Sequence, residues 1–154
     1  MSARLRTRRR VTRLDMLEMA KKHATAVGWR DTRVQAIAAD VGVSRPTLYK
    51  EFPSKWDLGR ALIQHENDRF VKALGASLAD ATTAHEGIRR GIAFSLRYAE
   101  QNPFVARVLH EEMTDAGLLP LSVSSENIIP LALATAMPLF RLAYPHHDDE
   151  ELAF

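Results

Sequence analysis

TRVQAIAADVGVSRPTLYKEFPSKWDL, residues 32–58, is the stretch that decides the fold. Val34, Ile37, Ala38 and Val41 recur at helical spacing and give a first helix one apolar face. Gly42 stands where a helix end needs a residue tolerant of left-handed backbone. Ser44 follows at an N-cap position, where its hydroxyl can satisfy a free N–H of the next turn. Pro46 falls in that turn, where a missing N–H costs little. Leu48 and Phe52, four apart, face inward and leave Arg45, Pro46, Tyr49 and Lys50 outward. Helix, glycine turn, then a short capped helix with a basic outer face is the helix-turn-helix plan of a DNA-reading element.

Roles on this second helix divide by chemistry. Arg45 can bond a guanine edge bidentately, while Thr47 and the Pro46 ring can touch a thymine methyl. Tyr49 and Lys50 suit phosphates, which position a protein without reading sequence. Thr32 is expected to cap the helix that begins near Arg33. A phosphate at that N-terminus would meet free N–H groups and the helix dipole.

The segment from Met16 to Leu58 resembles the N-terminal domain of the TetR (tetracycline-repressor) family of bacterial transcriptional regulators. The resemblance rests on Met16-Leu17, Ala20, Gly28-Trp29, Thr32, Val34, Ile37-Ala38, Gly42-Val43-Ser44, Thr47-Leu48-Tyr49, Phe52, Ser54-Lys55 and Leu58. His23-Ala24, Arg33 and Pro46 depart from the family's usual residues. The resemblance implies backbone contacts from Tyr49 and Lys55. It also implies a homodimer on a palindromic operator, and a ligand-responsive repressor in which a shift of the helix after Ser54 changes the separation of two heads. The expected DNA-facing set is therefore Thr32, Arg33, Ser44, Arg45, Pro46, Thr47, Tyr49, Lys50 and Lys55.

The charge distribution agrees with a polyanion partner. Residues 1–56 hold 13 Lys or Arg against 5 Asp or Glu, a balance of +8, and residues 57–154 hold 8 against 14, a balance of −6. A basic head and an acidic body are the footprint of a protein that turns one end to DNA. Residues 1–13 carry six arginines and no acid, so 1–12 are expected to be a disordered arm able to follow phosphates or enter a minor groove. The absence of cysteine excludes disulfides and thiolate metal sites. No apolar run approaches the ~20 residues that span a bilayer, and no apolar core follows the charged N-terminus as in a secretory signal. A cytoplasmic location, with no membrane partner, is the expectation.

The expected domains are the arm at 1–12, the helix-turn-helix head at 13–56 and a helical body at 57–154. Within the head, Leu17, Ala20, Ala24 and Val27 make a supporting helix from Arg13 to Val27. Pro53-Ser54-Lys55 turns into a long helix carrying Leu58, Leu62, Ile63, Phe70, Leu74 and Leu78. Thr83-Ala84-His85-Glu86 fits a capping box for the next, with Ile88, Ile92, Leu96 and Ala99 as its apolar stripe. Pro103 begins another helix, and a last one over residues 126–144 is interrupted by Pro130 and Pro138. No strand pattern competes, so the class is all-α. The body resembles the family's ligand-binding and dimerisation domain in outline. The chain stops where a further amphipathic helix starts, and the resemblance implies either that the last helix or helices are lacking or that the chain pairs by another surface. Phe70, Phe94, Tyr98, Phe104 and Met113 are the expected lining for a small apolar effector.

Other function classes fare worse. His146-His147-Asp148-Asp149-Glu150-Glu151 is a consecutive run that cannot converge on one ion. His65-Glu66 lacks the histidine four residues on that a helical zinc site needs, and His110-Glu111-Glu112 has no paired base. No phosphate loop or nucleophile elbow is present. No metal, no cofactor and no enzymatic activity are expected. The alternatives to a sequence-specific regulator are a non-specific or partner-dependent DNA-binding protein and a truncated regulator fragment.

Overall fold

A computed structural model describes residues 10–112. Six helices follow in order: α1 (Arg13–Val27), α2 (Val34–Val41), α3 (Arg45–Glu51), α4 (Lys55–Leu78), α5 (Ala84–Gln101) and α6 (Pro103–Glu112). The architecture is all-helical, as the sequence indicates. Met113, the helix expected over residues 126–144 and the histidine-acid run after it lie outside the described residues.

Local chemistry sets the helix boundaries. Thr12 and Asp15 close a capping box on α1: the Asp15 N–H donates to Thr12 Oγ1 at 3.2 Å, and the Thr12 N–H donates to Asp15 Oδ2 at 2.8 Å. Gly42 adopts φ 84° and ψ 30°, and its N–H reaches the Ala38 and Ala39 carbonyls. A Cβ there would meet nothing within 4 Å, so the glycine is required by its backbone conformation and not by crowding. Ser54 caps α4 by accepting from the Asp57 N–H at 3.0 Å. At α5, Thr83 accepts from the Glu86 N–H, but the return bond differs from the expected box. The Glu86 carboxylate takes the N–H of Thr82, one residue earlier, and also holds Arg90 at 2.6 Å.

One core joins the head to the helices after it. Met16, Leu17, Ala20 and Ala24 of α1 pack with Ile37, Ala38, Leu48 and Phe52, and this cluster continues into Leu58, Leu62 and Ile63 of α4. Phe104, at the start of α6, is 2% exposed and belongs to the same cluster, with Val108 packed beside it. Val27, expected on the inner stripe of α1, is instead exposed, while Met16 near the other end is buried.

The expected stripe of α5 needs the larger correction. Ile88, Ile92 and Leu96 are 49%, 58% and 61% exposed. Against α4 the helix turns a neighbouring face. Gly91 lies over Leu74 and Leu78, and Phe94 and Tyr98 meet Phe70. The contact at Gly91 is ordinary van der Waals packing on the two leucine side chains, and the three rings pack on one another along the same face. Two apolar faces coexist on α5, and periodicity alone cannot say which meets α4.

Because Phe104 shares the head's core, Phe104→Ala is expected to cost about 3–5 kcal/mol. Denaturant unfolding of the full chain should show the α1–α3 signal and the α6 signal shifting together. Loss of the α6 signal alone would contradict a shared core.

Candidate nucleic-acid interface

A helix of seven residues is too short to be stable alone, so α3 must be held by its surroundings. Leu48 and Phe52 do this from below, at 0% and 1% exposure. At the N-terminus Ser44 Oγ accepts from the Thr47 N–H at 3.2 Å and pairs with Thr47 Oγ1 at 2.8 Å. Pro46 sits in the first turn as expected. At the other end Arg13 of α1 donates from Nη1 to the Glu51 carbonyl at 2.8 Å, and its guanidinium lies 4.0 Å above the Phe52 ring. A cation at a helix C-terminus also opposes the negative end of the dipole. Sequence reasoning missed this clamp. The only hint was an arginine opening α1, which has many other uses.

Held this way, α3 presents Arg45, Pro46, Thr47 and Lys50 as exposed side chains on one short helix. Tyr49 is half-buried and packs against the core. The Arg45 guanidinium lies 5.2 Å from the centre of the Tyr49 ring, and its Nη2 is 3.5 Å from the phenol oxygen. A cation over an aromatic face gains electrostatically and loses rotamer freedom, so Arg45 is ordered in advance. Arg33 is exposed at the N-cap of α2, where no side chain caps the helix.

Thr32 is placed differently from expectation, and Lys55 has a partner within the chain. Thr32 is 2% exposed, and its hydroxyl donates to the Gly28 carbonyl at 2.6 Å. It therefore pins the loop after α1 and does not cap α2, whose N-cap is Arg33. Lys55 Nζ donates to the Arg30 carbonyl at 2.9 Å and lies 5.3 Å from the centre of the Trp29 ring. Desolvation by burial lowers its pKa from 10.5, opposed by the nearby Asp31 carboxylate. The expected effector lining also divides. Phe70, Phe94 and Tyr98 pack on one another with centroids 5.1–5.7 Å apart, whereas Phe104 belongs to the head's core. Tyr98 and Phe104 do border an open cavity of about 630 Å³ with Lys21, Lys22 and Arg69.

The comparisons with known proteins point to the same element. Residues 16–62 match the model of the bacterial regulatory proteins of the tetR family. The nucleoid occlusion factor SlmA of Haemophilus influenzae is 36% identical over 73 residues, covering 47% of this chain and 34% of that protein. The matched region thus spans about a third of that relative's length. Among solved structures, a tetR family transcription regulator from Shewanella sp. PV-4 superposes with a TM-score of 0.63 at 22% identity, over 84% of this chain and 66% of that one. This is a likeness of fold. A TetR-like transcriptional regulator from Rhodococcus sp. RHA1 gives a TM-score of 0.50 at 26% identity, over 88% of this chain and 85% of that one. No helix among the described residues is long and apolar enough to cross a membrane.

Two outcomes follow from this geometry. Arg13→Ala is expected to cost about 1 kcal/mol, the low end for a charge-assisted hydrogen bond because the pair is half exposed. Arg13→Lys should restore little, since lysine lacks the fork that spans carbonyl and ring; urea midpoints of both variants check this. Lys55 sets a pH dependence. Its folded pKa lies below 10.5, so between the two values the unfolded chain binds more protons and stability rises with pH. That rise should be missing from the alkaline stability profile of Lys55→Met.

Proposed function

We propose that this chain, whose residues 16–62 are a tetR-family domain, is a sequence-specific DNA-binding transcriptional regulator. The observation that carries the reading is α3 itself. A short helix capped by Ser44 and anchored by Leu48 and Phe52 turns Arg45, Pro46, Thr47 and Lys50 to solvent with Arg45 already stacked on Tyr49. In this reading Arg45 takes a guanine edge, and Pro46 and Thr47 meet a thymine methyl. Ser44, Tyr49 and Lys50 hold phosphates, and Arg33 meets a phosphate at the N-terminus of α2. Lys55 acts from behind. Its bond to the Arg30 carbonyl sets the loop that precedes α2, alongside the DNA-backbone contact that the family resemblance implies.

The homodimer, the palindromic operator and the repressor sign are proposed on the family likeness. Two heads would enter successive major grooves about 34–36 Å apart. A small apolar effector is proposed at the body helices, where Phe70, Phe94 and Tyr98 gather apolar aromatic surface.

The test is selection of bound genomic fragments at about 0.15 M salt, where non-specific binding is weak, followed by footprinting. An inverted repeat protected in both halves is the expected result. Salt-sensitive binding without a consensus would overturn sequence-specific regulation in favour of non-specific or partner-dependent binding. On the selected site, Arg45→Ala should cost about 1–3 kcal/mol of discrimination at one base pair of each half. Lys50→Ala should weaken all DNA alike and reduce the salt slope by about 1. Equal, uniform weakening by both changes would refute the division of roles.

A further inference from the structure

Where α1 crosses α4, three metal-ligating atoms from Glu18, His65 and Glu66 lie within 4.8 Å of one another. Glu66 is 5% exposed, deep for a carboxylate, and its Oε1 is buried with no hydrogen-bond partner. Its other oxygen accepts from Lys21 Nζ at 2.6 Å. Arg69 Nη1 is 3.0 Å from Glu18 Oε1 but 3.6 Å from Glu66 Oε1, an ion pair that leaves the buried oxygen without a bond. His65 Nε2 is 3.6 Å from the same Glu18 oxygen. The donors thus surround a place where a cation is already favoured, and the guanidinium there belongs to a half-exposed side chain that can rotate into solvent.

We propose that Glu18, His65 and Glu66 form a site for a divalent transition-metal ion of the Zn²⁺, Ni²⁺ or Co²⁺ type, with Arg69 as the resident competitor. One imidazole nitrogen and two carboxylates suit borderline ions, whereas Ca²⁺ and Mg²⁺ prefer oxygen alone. Ligand bonds of about 2.0–2.2 Å need the three donors to draw in by about 1 Å. Exposed Glu18 and half-buried His65 can do so by side-chain rotation. Lys21 stays on Glu66 Oε2 and orients the carboxylate, as outer partners of metal ligands do. Water completes the coordination from the solvent side. The ion would bind α1 of the head to α4, and the site stands or falls independently of what the head reads. Sequence spacing hid it, because His65-Glu66 finds its third ligand on another helix.

Cobalt(II) is the probe, titrated into the full chain carrying His146→Asn and His147→Asn, which removes the adjacent histidine pair as a competitor. One saturable equivalent with the visible ligand-field band of four- or five-coordinate cobalt is the expected result. His65→Gln and Glu18→Gln, both away from the core, should each weaken binding about tenfold or more. Arg69→Gln should tighten it, the reverse of what loss of a merely structural ion pair would do. Absence of the band, or binding indifferent to His65→Gln, overturns the proposal. So does an Arg69→Gln chain that binds no better than its parent.

Discussion

Two turns of helix cannot hold their own shape in water, and this chain depends on doing so at α3. The solution is to fix the helix from three sides. Ser44 satisfies an amide at one end, Arg13 bonds the last carbonyl at the other, and Leu48 and Phe52 bury the underside at 0% and 1% exposure. Each contact limits a different freedom: fraying, tilting and lifting away. With all three in place the outward face has only side-chain freedom left, and the stacking of Arg45 on Tyr49 removes part of that as well.

The supports of α3 are themselves supported. α1 brings Arg13 to the C-terminus of α3, and α4 and α6 steady α1 in turn. Lys21 bonds Glu66, Arg69 bonds Glu18, and Phe104 enters the apolar cluster beneath Lys21. The Arg69–Glu18 pair is half exposed and contributes little by itself, whereas Lys21–Glu66 is largely buried. Their value here is geometric, since each fixes a direction between α1 and α4 that apolar packing alone leaves free.

How much of this was legible depended on the range of the interaction. Gly42, Ser44, Pro46 and Ser54 act on backbone within one turn, so their roles can be read from order along the chain, and the structure places them as read. Leu48 and Phe52 were readable because an apolar pair four apart on a short helix has only one side to bury. Thr32 was not. A threonine before a helix resembles a cap, but the Gly28 carbonyl takes its hydroxyl; the bond from Lys55 to the Arg30 carbonyl likewise has no local signal. On α5 two apolar faces competed, and the one that carries Gly91, Phe94 and Tyr98 is the one that meets α4. Phe104 could be read as inward-facing, but what it and Glu18 meet was beyond reach for the same reason. Their partners are set by how helices cross, which no local spacing encodes.

The burial of Phe104 bears on modularity. A helix-turn-helix head followed by further helices invites exchange of parts, with the cut placed where the long helix α4 begins. Here such a cut would leave a hole. The head's interior is closed by Leu58, Leu62 and Ile63 from beyond that point and by a phenylalanine from the start of α6. A head excised near residue 56 would expose the undersides of Met16, Ala20 and Leu48, and a foreign body grafted onto it would have to supply an aromatic plug of the same size at the same place. In recombination as in engineering, the unit that travels intact runs through the first turn of α6, and chimaeras joined earlier should be selected for compensating bulky residues at the new seam.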